Sequence, residues 1–114
     1  MDILKEIYQV ANKKQPNYDE RYTNRRVTKL SEETGECSQA FLSVTSEENS
    51  KNKTFTDVRE EAVDAAIVGL DIALTRFPGE ENMTDEEIAA AVEVMIAKKL
   101  KKWIKKVKKK QDTI

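Results

Sequence analysis

Between Ala62 and Leu74 the chain is apolar almost all the way round a helix, yet Asp64 and Asp71 interrupt the run. A helix of that kind belongs at the centre of a helical bundle, where an unpaired carboxylate costs several kcal/mol. The segment therefore predicts both an architecture and a demand for something that neutralises buried acid. A second stretch repeats the demand. Glu33 and Glu36 lie three residues apart, as do Glu61 and Asp64, so each pair shares one helix face and offers two oxygen donors to whatever packs there. Four such charges in a partly dry site repel one another unless a cation lies among them, and magnesium, an oxygen-seeking ion that bridges carboxylates to phosphates, is the economical choice.

The remaining elements read from periodicity and breakers. Residues 3–13 form a first helix with Ile3, Leu4, Ile7, Val10 and Ala11 on one side, ended by Pro16. A second helix over about 20–44 carries Val27, Leu30, Thr34, Cys37, Phe41 and Val44 as its seam, with Glu33 and Glu36 bordering it. Gly35 inside that helix predicts close approach of another segment or a ligand. Thr45 to Phe55 is a polar connection, and the third helix starts near Thr56 or Asp57 and runs to about Arg76 before Pro78-Gly79. Thr84 and Glu87 form a capping box, with Met83 and Ile88 as its hydrophobic staple. The fourth helix then aligns Ile88, Ala91, Val92, Met95, Ile96, Leu100, Trp103, Ile104 and Val107.

Residues 1–114 thus predict a single all-α domain, four-helix bundle-like, with a lysine-rich helix end over 98–110. Three Gly and two Pro in 114 residues agree with an all-α chain of a size at which self-association is common. With no histidine, the usual zinc ligand and every Ser-His or Cys-His arrangement are excluded, and the single Cys37 forms no disulfide within these residues. Cys37 reads as a small buried hydrophobe, since no basic partner is present to activate it. No apolar run approaches a membrane span and the N-terminus is not leader-like, so a cytoplasmic protein is expected.

The net charge of −1 hides an asymmetry, +8 over residues 98–114 and −9 over residues 1–97. The basic end could contact nucleic acid, a membrane surface or polyphosphate, pair with the acidic body of the same or a neighbouring subunit, or simply complement the negative end of the helix dipole.

Lys29-Leu30-Ser31-Glu32-Glu33-Thr34-Gly35-Glu36, followed after 24 residues by Glu61-Ala62-Val63-Asp64, resembles the MazG-like all-α nucleoside triphosphate pyrophosphohydrolases over roughly residues 25–103. The resemblance implies the fold of that family and hydrolysis of an NTP or dNTP to the monophosphate and pyrophosphate. It implies magnesium, or manganese in its place, held by Glu33, Glu36, Glu61 and Asp64, with Glu32 supporting or activating the attacking water. Cationic partners for the phosphates would be Lys29, Lys99 and Lys102, although Lys99-Leu100 is followed here by Lys101-Lys102-Trp103 where the family often has Asn and Arg. Tyr18, Tyr22, Arg25, Arg26 and Trp103 are candidates to stack on a base, Trp103 being otherwise simply a core or interface residue. Asp71 is either a further ligand or a buried acceptor bonded to a neighbouring helix. A homodimer or homotetramer with sites shared between subunits is expected, with no membrane and no nucleic-acid partner. The alternative is a noncatalytic helical binding protein that contacts nucleic acid through Lys98 to Lys110, its acids forming ion pairs only.

Overall fold

The computed structural model describes residues 2–14, 17–49 and 51–112, and these form four helices with no strand among them. They are α1 (Ile3–Lys14), α2 (Glu20–Thr45), α3 (Phe55–Ala73) and α4 (Asp85–Asp112). Pro16 and the side chain of Ala11 lie outside the described residues.

The caps explain most of the boundaries. Asp19 accepts the Tyr22 backbone N–H at 3.1 Å and opens α2 where the sequence places its start. Helix α3 starts earlier than expected because Thr54 and Asp57 form a reciprocal box: the Thr54 N–H donates to Asp57 Oδ2 at 2.7 Å and the Asp57 N–H to Thr54 Oγ1 at 3.2 Å. These bonds hold the Asp57 carboxyl below its ordinary range, the Thr54 backbone contributing most. At α4 the expected box is present, Thr84 N–H to Glu87 Oε1 and Glu87 N–H to Thr84 Oγ1, both at 3.1 Å. The α2–α3 connection turns on Asn49 and Asn52, both at positive φ. Asn49 also ties the turn together, accepting from Ser43 Oγ and the Lys53 N–H and donating to the Lys53 carbonyl.

Helices α2 and α3 pack as an antiparallel hairpin, and α1 lies against both α3 and α4. The hydrophobic core sits at the α1–α3–α4 junction, where Leu74 at the end of α3 is fully buried against Tyr8, Ile88 and Val92. Met83 packs on that cluster beside Ile88, as a staple should.

Three expectations change. The seam of α2 toward α3 is Leu30, Glu33, Cys37, Ala40 and Val44, in which Glu33 and Ala40 are buried, while Val27, Thr34 and Phe41 face outward. Two parallel apolar lines run along α2, and the line with the small Ala40 meets α3, which leaves bulky Phe41 outside. Second, α3 is buried on one side only: Val68 is covered, but Val63 and Ile67 are exposed. The reason is α4, which packs chiefly on α1 and from Ala97 to Asp112 is exposed at every residue, so it does not close a bundle over the hairpin. The radius of gyration, 17.5 Å, reflects this, against about 13 Å for a compact domain of this length. Third, a Cβ added at Gly35 meets no atom within 4 Å among the described residues, so the close approach expected there is not made by them.

Candidate metal centre

The antiparallel register brings the two acid pairs together. Ligand oxygens of Glu33, Glu61 and Asp64 lie within 4.8 Å of one another. Glu33 is the buried member at 6% exposure, Glu61 is half-buried on the α3 side of the seam, and Asp64 stands at the exposed edge. Glu36 is exposed and outside that trio, but it borders Glu61.

The trio is not electrically satisfied. Glu33 accepts an ion pair from Lys29 Nζ at 3.1 Å, which also lies 3.7 Å from the exposed Glu32. The bond to Glu33 is the main reason the Lys29 ammonium holds its proton more tightly than usual. Glu61 has no such cation among the described residues. Its Oε2 is buried without a hydrogen-bond partner among the described residues. Burial raises its pKa first, then the Glu36 carboxylate, which can accept a hydrogen bond only from a protonated Glu61, and then the charges of Glu36, Asp64 and Glu33. Two ionised carboxylates have no proton to share, so the orphaned Oε2 and the raised pKa describe the same deficit of positive charge. An all-oxygen donor set with an unpartnered buried oxygen fits a hard divalent cation such as magnesium.

Other candidate residues divide into two groups. Tyr22 and Arg26 line a cleft between α1, α2 and α3. Tyr18 packs its ring on Phe77 at 5.9 Å between centroids, and Arg25 is exposed. Lys99, Lys102 and Trp103 stand on the exposed half of α4, Trp103 at 63% exposure. Asp71 resolves as the bonded acceptor, 2.5 Å from Arg26 Nη2 across the hairpin. Cys37 is half-buried, its Sγ 3.8 Å from the Val58 carbonyl, as expected of a small seam residue. Sequence reasoning did not single out Glu6, Ile7, Val10 and Ile67 as cleft residues, because their convergence depends on how α1 crosses the hairpin.

No helix among the described residues is long and apolar enough to cross a membrane. Compared with family models, curated proteins and solved structures, the chain matches none.

Proposed function

We propose that the protein is a cytoplasmic, magnesium-dependent nucleoside triphosphate pyrophosphohydrolase of the MazG-like type, releasing pyrophosphate from an NTP or dNTP. The observation that carries this reading is the Glu33–Glu61–Asp64 trio with its uncompensated Glu61 oxygen, set in the spacing that resembles that family. When bound, magnesium or manganese supplies charge neutralisation at the phosphates and a more acidic water. Glu33, Glu61 and Asp64 hold the ion, and Glu36 completes the set from the edge. Lys29 fixes the Glu33 carboxylate and presents its remaining N–H donors to phosphate. In this reading Glu32, exposed beside Lys29, takes the proton of the water that attacks the α-phosphorus.

Pyrophosphate leaves with its negative charge, and beyond Lys29 no lysine among the described residues pairs with the trio. Lys99 and Lys102 serve that role from an adjoining subunit in this proposal, with the active assembly a dimer or tetramer. Exposed Val27, Phe41 and Val63 on the hairpin, and Leu100, Trp103, Ile104 and Val107 on α4, supply the apolar area for it. Sedimentation equilibrium is expected to give a mass of two or four chains, with Phe41→Asp shifting the population toward monomer. A wild-type monomer at all concentrations would remove the shared-site part of the proposal.

The deciding assay is pyrophosphate release from a panel of standard and modified ribo- and deoxyribonucleoside triphosphates. Release is expected with magnesium, none with chelator, and little from Glu36→Gln. The exposed lysines of 98–110 favour the noncatalytic alternative if no triphosphate is cleaved. Nucleic-acid binding through that end would then weaken steeply with salt.

A further inference from the structure

The cleft between α1, α2 and α3 has a volume of about 320 Å³, within the range of small-molecule sites. Ile7 and Val10 of α1 and Ile67 of α3 line it with apolar side chains, and Glu6, Tyr22, Arg26 and Asp71 are its polar groups. An Arg–Asp ion pair in such a cleft is costly, because both charges lose water. The Arg26 and Asp71 side chains keep only 30% and 13% of their exposure. Moreover, the Arg26 Nε–H is buried with no acceptor among the described residues. A buried donor left unmade costs more than a typical hydrogen bond returns, so the guanidinium is under-satisfied where Arg26 borders the cleft.

Position narrows the ligand. Arg26 lies seven residues before Glu33 on α2, and Asp71 lies seven residues after Asp64 on α3. One antiparallel register therefore makes both the carboxylate trio and the ion pair, separated by two turns, about 10 Å at 1.5 Å per residue. That is the scale of a nucleotide measured from its α-phosphate to the outer edge of its base.

We infer that the cleft holds the nucleobase and that the Arg26–Asp71 pair reads its edge. Arg26 donates to a ring nitrogen or carbonyl oxygen, Asp71 accepts from the adjacent N–H, and Ile7, Val10 and Ile67 cover the faces of the ring. A carboxylate has no hydrogen to donate, so an edge that presents only acceptors to Asp71 is rejected. The choice of a nucleobase as ligand rests on the hydrolase reading. Arg26 and Asp71 would set base preference and take no part in bond breaking.

The test uses nucleosides, which have no phosphate to engage the acids. In ¹H–¹⁵N spectra of the metal-free full chain, adenosine, guanosine, cytidine and uridine are titrated in turn to their solubility. The expected result is movement of the Tyr22, Arg26, Ile67 and Asp71 amides by a preferred nucleoside, with those of Glu33 and Glu61 unmoved. Ile67→Trp, a substitution at a half-exposed residue that fills the cleft and leaves the ion pair intact, is expected to abolish these shifts. Asp71→Asn is expected to change the relative affinities by about tenfold, and to reorder the triphosphates by kcat/KM. If no nucleoside moves the cleft amides, or both variants keep the wild-type ranking, the inference is overturned even with pyrophosphate release intact. Cleft shifts in a protein that releases pyrophosphate from no triphosphate would retain the base site and overturn the hydrolase reading instead.

Discussion

Glu61→Gln is expected to abolish pyrophosphate release and, in the same protein, to make the metal-free fold harder to unfold. Loss of a carboxylate that holds the cation removes several kcal/mol of charge stabilisation at the reacting phosphate, which corresponds to a fall of about 10³-fold. Stability moves the other way because Glu61 is half-buried beside Glu36, Asp64 and Glu33, and those surroundings raise its pKa. The folded metal-free protein thus binds this proton more tightly than the unfolded chain does. Stability from Glu61 is fully present below the ordinary Glu pKa and is lost as pH rises through the raised value. The amide stays neutral and donates to Glu36 at every pH, so the variant's advantage in melting temperature should widen as pH rises above the ordinary Glu pKa. Asp57 and Glu81 have lowered pKa values, through hydrogen bonds from Thr54 and from the Gly79 backbone, and lose stability as pH falls. Both are common to the two proteins and cancel in the difference. Magnesium should reverse the order, since it stabilises wild type by about 2.7 kcal/mol at a hundredfold excess over Kd and the variant by far less. Superimposed melting curves for the two metal-free proteins at all pH values would show that the acids are not in conflict.

That conflict is also where the sequence was most legible. Thr84 and Glu87 mark a helix start through local hydrogen bonds that spacing alone reveals. The i, i+3 acids likewise share a face by helix geometry, whatever the rest of the chain does. The box of Thr54 and Asp57 went unread because Asp57 replaces the Glu or Gln usual there. The seam of α2 was harder, since the lines of Val27 and Leu30 are both apolar and only the fit of Ala40 against α3 separates them. Arg26–Asp71 depends on interhelical register, to which no local pattern refers. Similarly, the stripe from Leu100 to Val107 announces that it will be covered without saying by which chain.

Leu74→Ala is expected to cost about 3 kcal/mol, within the 2–5 kcal/mol usual for a buried leucine, and to lower the melting temperature by about 10 °C. Leu74 is fully buried where the end of α3 meets Tyr8 of α1 and Ile88 and Val92 of α4. This junction anchors α4, whose second half is exposed along its whole length. With total stabilities of about 5–15 kcal/mol, such a loss is a large share for a chain with so few buried side chains. Leu74→Met conserves volume and should cost less than about 1.5 kcal/mol, which separates the cavity from the loss of branching. The functional consequence depends on where the phosphate-binding lysines come from. Glu33, Glu61 and Asp64 lie on the α2–α3 hairpin, away from Leu74, so magnesium affinity measured by calorimetry at low temperature should stay near wild type. If Lys99 and Lys102 reach the site on a correctly anchored α4 of another subunit, hydrolysis should fall together with the oligomeric mass. Activity that survives in a Leu74→Ala monomer would place the cations for pyrophosphate within the single chain, with Lys29 then the foremost of them.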